Sequence, residues 1–329
     1  MIITRTPHRI SFFGGGTDYP AWYLRHGGKV LGAAIDKYCY LIVRELPPFF
    51  NHKHRIVYSK IENANTINEI IHPSVREVLR YLKYSRGISI HHDGDIPARS
   101  GMGSSSAFTV GLLKAMYALN GKIISKRELY KTAIHIEQNL IKENVGSQDQ
   151  AFASCGGFNK IDFLTNGEIL VSPVVISEEN LSEFQKNFML FFTGLSRNAS
   201  DIAEEQIKNI NRNEKELYKM GKLVDEAYNI VTSKKSDFKD FGKLLNETWK
   251  LKRSLSTNIS NSFINEIYER ALKNGAIGGK LLGAGGGGFM LFYAEPENQP
   301  KLKKALKNLL NIPFEFDFSG SEIIFYKEH

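Results

Sequence analysis

The sequence predicts an α+β fold in two halves, on three observations. Strand-type runs fill the first third, helical periodicity occupies residues 197 to 273, and strands return afterwards, an order unlike the regular alternation of a βαβ chain. A length of 329 residues with 42% hydrophobic side chains suffices for one large core or two ordinary ones and excludes intrinsic disorder. Most of the 28 glycines fall in four windows, 14–28, 94–103, 146–157 and 275–288, so glycine marks sites and not general flexibility.

The elements follow in order. Ile2–Phe13 and residues 30–43 read as strands, the second through the alternation of Tyr38, Tyr40 and Ile42, and residues 55–58 and 88–92 read as shorter ones. A helix starting near Pro73 separates the last two. After the glycine and serine stretch at 101–106, Phe108, Leu112, Ala115 and Leu119 lie on one helical face, which Asn120-Gly121 closes. Ser125 with Glu128 forms a capping box that opens a helix running to about Ile141. Phe158–Phe163 and residues 168–171 make a hairpin about Asn166-Gly167, and Phe188–Phe192 is a buried strand. Leu217, Met220, Val224 and Val231 keep one helical register, and a further helix carries Leu244, Leu245 and Trp249. Strands at 276–282 and 289–293, a helix at 299–311 and strands at 313–317 and 321–327 end the chain. The division is drawn at 1–182 and 183–329.

Composition removes several function classes. No segment has the roughly 18 to 20 apolar residues of a membrane span, and residues 1–16 lack the features of a signal peptide. Cys39 and Cys155 cannot build a disulfide framework, so the expectation is a cytoplasmic protein with no membrane partner. The net charge of +8 suits polyanions, but lysines such as Lys301, Lys303, Lys304 and Lys307 sit on solvated helix faces, and there is no block of like charge, so no nucleic-acid partner is expected.

Four constellations carry the chemistry. Residues 97–107, with Gly101, Gly103, Ser104, Ser105 and Ser106, lie between a strand and a helix, where backbone N–H groups and hydroxyls can hold a polyphosphate and a magnesium ion; a serine-rich helix cap is the alternative. The P-loop pattern with its lysine is absent. Gly283, Gly285 and Gly288 satisfy a dinucleotide-binding spacing, but the run that follows is a strand and not a helix, which removes a Rossmann reading. Arg9, Gly15, Gly16, Thr17 and Asp18 form a glycine loop whose carboxylate suits hydroxyl recognition, or an Asx turn. Glu137 and Asp149 offer two carboxylates near one loop, or two acids on a surface helix.

Taken in this order the windows resemble the GHMP kinase superfamily. Pro97, Gly101, Gly103, Ser104 and Ser105 match its P-x-G-x-G-S-S-A-type pattern, with Ser106 replacing an alanine, and Gly283 to Gly288 resemble its third motif. Gly15-Gly16 stand where galactokinases carry Glu-His, which argues against a galactokinase. Residues 13–20, 193–199 and 280–288 are similar to the heptose 7-phosphate kinase branch, with fucokinase-type domains as relatives. The resemblance implies an N-terminal half like domain 2 of ribosomal protein S5 and a C-terminal ferredoxin-like half. It also implies ATP and Mg²⁺ as cofactors and a small-molecule sugar phosphate as partner. The implied reaction is phosphorylation of the anomeric hydroxyl of D-glycero-D-manno-heptose 7-phosphate, for nucleotide-activated heptose. An L-fucose kinase is the alternative, a noncatalytic sugar sensor the rival of another class, and a homodimer stays open. By the same resemblance Ser105 and Glu137 ligate Mg²⁺, Asp149 faces the acceptor hydroxyl as base or orienting group, and Arg9 is its basic neighbour. Gly15, Gly16, Thr17, Asp18, Gly285 and Gly286 line the substrate. Arg197, before a helix, is the candidate for the sugar's own phosphate, with a solvated arginine as the alternative.

Overall fold

The computed structural model describes residues 1–195, 199–233 and 237–327. The first half contains β1 (Ile2–Phe13), α1 (Pro20–His26), β2 (Gly28–Glu45), β3 (His54–Val57), β4 (Ile61–Ala64), α2 (Pro73–Tyr81), β5 (Ile88–Gly94), α3 (Ser104–Leu119), α4 (Lys126–His135), α5 (Gln148–Cys155), β6 (Phe158–Phe163) and β7 (Ile169–Pro173). The second contains α6 (Glu178–Lys186), β8 (Phe188–Phe192), α7 (Ala199–Lys208), α8 (Glu214–Thr232), α9 (Lys239–Ser254), α10 (Ser262–Lys273), β9 (Gly278–Leu281), β10 (Phe289–Tyr293), α11 (Gln299–Ala305), β11 (Leu310–Ile312) and β12 (Glu322–Tyr326).

These strands make two sheets. The larger has eight strands, ordered β12-β1-β2-β5-β3-β4, with β6 and β7 continuing from β2; every pairing is antiparallel except β3 with β5. The smaller is antiparallel in the order β11-β8-β10-β9, which with its crossing helices is the ferredoxin-like arrangement. The α+β expectation therefore holds. The 182/183 division falls within α6, between the last strand of the large sheet before the crossover and the first strand of the small one. The chain then returns: β12 pairs with β1, Ile2 opposite Tyr326.

Three local outcomes differ from the pattern reading. The helix expected over 299–311 stops at Ala305, because Leu310 to Ile312 pair with β8, so an available sheet edge overrides helical periodicity. Residues 313–317 contribute a single bridge, Phe316 to Ile35. The helix begun by the Ser125 and Glu128 capping box continues past His135 as a π-helix over Ile136–Ile141.

The halves share a core. Thr6 to Phe13 of β1 are buried throughout, so both faces of that strand are covered. Phe12 packs edge-on against Phe158, Phe184 and Phe241, with ring centroids 5.9, 6.3 and 5.5 Å away, joining β1, β6, α6 and α9. This packing fixes the end of β1 relative to α9, and the pocket opens beside it. No helix among the described residues is long and apolar enough to cross a membrane.

Candidate active site

A pocket of about 230 Å³ lies where the halves meet, lined among others by Arg9, Asp18, Gly101, Ser105, Asp149 and Lys252. Pro7 cannot donate to the β1–β2 ladder, and a bulge follows it, two residues before Arg9. The Arg9 guanidinium, buried in β1, donates from Nε to Asp149 Oδ1 at 2.8 Å and from Nη2 to Oδ2 at 2.9 Å. Its Nη1 donates to the Gly101 carbonyl at 2.8 Å. This fork fixes the plane of the carboxylate and ties it to the glycine turn. Asp149 sits in the first turn of α5, where the helix dipole favours a negative charge, and its side chain stays 25% exposed toward the pocket.

Asp18 is almost wholly buried beside this pair. It accepts hydrogen bonds from the Gly16 amide and from Gln148 Nε2, each at 2.9 Å. Burial pushes its carboxyl upward, against the pull of those two bonds. A methyl group on Gly146 would overlap Asp18 Oδ2, so glycine is what lets the 146 loop run against the carboxylate. The loop holding Asp18 and the loop leading to Asp149 are thus one packed unit.

Two glycine turns cross at the other end of the pocket. A Cβ on Gly283 would stand 2.5 Å from the Gly101 Cα, and both residues have positive φ, 71° and 80°. The crossing brings the third motif against the start of α3. That 16-residue helix begins after Gly103 with no side-chain cap, leaving its first N–H groups directed at the pocket, an arrangement suited to phosphate.

The expected metal pair is only partly assembled. Ser105 is exposed on the pocket wall, but the hydroxyl that reaches Glu137 is that of Ser106, donating to Oε2 at 2.9 Å. Gln150 Nε2 bonds the same oxygen, while Oε1 is buried without a partner, and burial pushes the carboxyl up to about 7. A buried carboxylate with one free oxygen beside the Ser106 hydroxyl fits a hard divalent cation such as Mg²⁺.

Other expected residues sort differently. Gly15, Gly16, Gly101, Gly103, Ser104, Ser105 and Ser106 line the pocket with Arg9, Asp18 and Asp149. Thr17 does not, because its hydroxyl is committed to the turn, donating to the carbonyls of Gly14 and Lys29 at 2.8 Å. Gly285 and Gly286 pack on Ile259, the latter through an N–H···O bond of 2.9 Å, and Gly283 and Ala284 line the pocket in their place. Arg197 lies outside the described residues. Pattern reading missed Lys252, Lys280, Arg99 and Gln148, all on the wall. For Lys252 a signal existed: with Leu245 and Trp249 it forms an i, i+4, i+7 set, so the lysine falls on the apolar face of α9.

Comparison with known proteins agrees with this architecture. The model of the GHMP kinases N terminal domain matches residues 68–157, and that of the GHMP kinases C terminal region matches 227–312. A D-glycero-alpha-D-manno-heptose 7-phosphate kinase of Campylobacter jejuni subsp. jejuni serotype O:2 is 33% identical, over 97% of this chain and 96% of its own. An L-fucokinase/L-fucose-1-P guanylyltransferase of Bacteroides fragilis is 25% identical over 92% of this chain, which spans 35% of that longer protein. The crystal structure of a D-glycero-D-manno-heptose 1-phosphate kinase from Bacteroides thetaiotaomicron aligns over 100% of both chains with a TM-score of 0.81 at 23% identity, a likeness of fold. Two family models in chain order, and a relative one third identical over nearly its whole length, establish that this chain belongs to the GHMP kinases, which move a phosphoryl group from ATP to an acceptor.

Proposed function

We propose that the protein is a sugar-phosphate kinase that transfers the γ-phosphoryl group of ATP to the anomeric hydroxyl of D-glycero-D-manno-heptose 7-phosphate, giving the 1,7-bisphosphate for a nucleotide-activated heptose. The observation that carries the transfer is the Arg9–Asp149 fork, set between the uncapped start of α3 and the buried Asp18. The heptose 7-phosphate kinase relative supports the acceptor.

In this reading the N–H groups at Ser104 to Ser106 hold the β- and γ-phosphates, and Gly101 and Gly103 let the nucleotide approach the backbone. Glu137, with Ser105 and Ser106, would hold Mg²⁺. The bound ion would neutralise charge on the phosphates. Gly15, Gly16 and Asp18 face the sugar hydroxyls. Asp149 directs a lone pair of the anomeric oxygen at the γ-phosphorus, the new O–P bond forms as the bridge to ADP breaks, and the hydroxyl proton leaves toward Asp149 or water. Both Asp149 oxygens already accept from Arg9, which favours alignment over proton abstraction as its larger contribution.

Sugar-dependent ADP release, measured with heptose 7-phosphate, free heptose and L-fucose, tests this reading. The expected product of the first shows a new ³¹P signal coupled to the anomeric proton. Turnover of L-fucose alone would favour the fucokinase reading that the Bacteroides fragilis relative supports, and no ADP release with any sugar would favour a sensor.

A further inference from the structure

The transfer described above leaves two buried cations of the pocket without a task. Lys252 of α9 and Lys280 of β9 are 4% and 2% exposed, and both line the pocket. Lys252 Nζ donates to the carbonyls of Leu281, at 3.1 Å, and Gly283. Lys280 Nζ donates to the carbonyls of Ser11 and Phe12 at 2.7 and 2.9 Å. Among the described residues these four carbonyls are their acceptors, and neither lysine has a carboxylate partner. Two N–H bonds of each lysine are thus in use, and protonation beside an anion would supply each with a third donor. Ser11 Oγ, buried and on the same wall, has no hydrogen-bond partner.

No neighbouring carboxylate bonds either lysine, although Asp18 acts on both at a distance. Arg9 is engaged by Asp149, and Asp18 by Gly16 and Gln148. Burying two ammonium groups without a counter-charge is costly, and an anion that reached both would offset that cost. Burial accordingly holds Lys252 down near 7 and Lys280 well below its ordinary value; Arg9 adds to both effects and Asp18 opposes them.

We propose that Lys252, Lys280 and Ser11 form a subsite for the phosphoryl group that the acceptor sugar already carries, so that the pocket selects a phosphorylated over a free sugar. The proposal rests on reading the acceptor as a sugar phosphate. The donor's phosphates have the start of α3 and the Gly101 turn, whereas Lys280 of β9 reaches the backbone of Ser11 and Phe12, beside the loop of Gly15, Gly16 and Asp18; Lys252 of α9 lines the same pocket from the carbonyls of Leu281 and Gly283.

The test uses Lys252→Met and Lys280→Met, each assayed with heptose 7-phosphate, free heptose and varied ATP. Loss of a charge-assisted hydrogen bond should raise KM for heptose 7-phosphate about 20- to 100-fold in each variant, with KM for free heptose and for ATP changed less than about threefold. An equal rise for ATP would assign the subsite to the donor, and an equal rise for both sugars would reduce the lysines to braces of the glycine turn; either overturns the proposal. Turnover of free sugars alone by the unaltered enzyme would defeat the acceptor reading as well, whereas normal use of heptose 7-phosphate by both variants would defeat the subsite alone. Should a variant fail to fold, calorimetry of the unaltered protein at pH 8 in buffers of different ionisation enthalpy decides. Binding of heptose 7-phosphate should take up about two protons, one for each lysine, and free heptose none, because the lysines regain charge only beside an anion. Arg9, Asp18, Arg99, Glu143 and Asp149 are the other charged groups lining the pocket, and the free-sugar arm accounts for any proton taken by a carboxylate. Equal uptake with both sugars, or none with either, contradicts the subsite.

Discussion

On the wall built from β1 and α5, the Arg9 guanidinium meets Asp149 in a two-bond fork, and its remaining donor is used on the Gly101 carbonyl. On the wall built from α9 and β9, Lys252 and Lys280 are just as deeply buried but meet only backbone carbonyls. The first arrangement is complete without a ligand and holds a carboxylate at a fixed angle, which is what aligning a nucleophile requires. The second is electrostatically unfinished and stores a preference for an anion. Burial alone therefore does not distinguish these walls; the presence of a counter-charge does.

The sharpest way to break this contrast is Asp149→Asn. It keeps the shape but removes the charge, and kcat should fall at least about 100-fold while KM for ATP stays within about threefold. Near-normal turnover would remove Asp149 from the chemistry. The next effect belongs to the crossing that holds the walls together. Gly283→Ala places a methyl 2.5 Å from the Gly101 Cα at positive φ, and urea denaturation should show a loss of about 2 to 4 kcal/mol. Gly221→Ala in α8, where a Cβ meets open space, should instead stabilise by about 0.5 to 1 kcal/mol. If the two variants matched, the crossing would not be a tight contact.

A smaller effect separates the walls by pH. Glu137 holds its proton up to about 7, against an ordinary 4.5, so between those values the unfolded chain has lost a proton the folded one keeps. That contribution to stability falls as pH rises toward 7. Lys252, near 7 in the folded state and 10.5 otherwise, acts in reverse: the unfolded chain keeps the proton, so stability rises from pH 7 upward. The ligand-free protein should show a dip in Tm near neutral pH, each limb reflecting on the order of 3 to 5 kcal/mol at most. Glu137→Gln should make the acid limb shallower, the rest of it belonging to Asp18, and Lys252→Met the alkaline one, which Lys280 shares; limbs unchanged in both variants would disprove the assignment. The smallest effect concerns Thr17. Thr17→Val should cost about 1 to 2 kcal/mol yet leave the acceptor KM within about twofold, since its hydroxyl serves the turn. A tenfold KM increase would return Thr17 to the sugar.

Much of this architecture is legible from residue order. The bounds of β1 and β10, the start of α2 at Pro73 and the capping box before α4 are local signals, and the core respects them. Arg9, Asp18, Asp149 and the turn at Gly101 are legible because glycine and charge together leave a spacing. What escaped depends on distant partners. The helix α5 that carries Asp149 is short and buried on nearly all sides, so Gln148, Ala151, Phe152 and Ala153 show no amphipathic period. Strand β11 exists because β8 offers an edge, which no local window contains, whereas β12 answers the strand expected at 321–327. That Ser106 bonds Glu137 joins two segments far apart in the chain, which spacing does not show. The two lysines were hidden by a sound habit, that of reading lysine as solvated.

If the lysine wall serves an anion, the pocket phosphorylates a sugar that already bears a phosphate. ADP release with heptose 7-phosphate and with free heptose, compared as kcat/KM on the unaltered enzyme, tests it most directly. A preference of at least about 100-fold for the phosphorylated sugar is expected, the discrimination two buried lysines provide when an anion completes them. Equal use of the two sugars, or a preference for the free one, would contradict it.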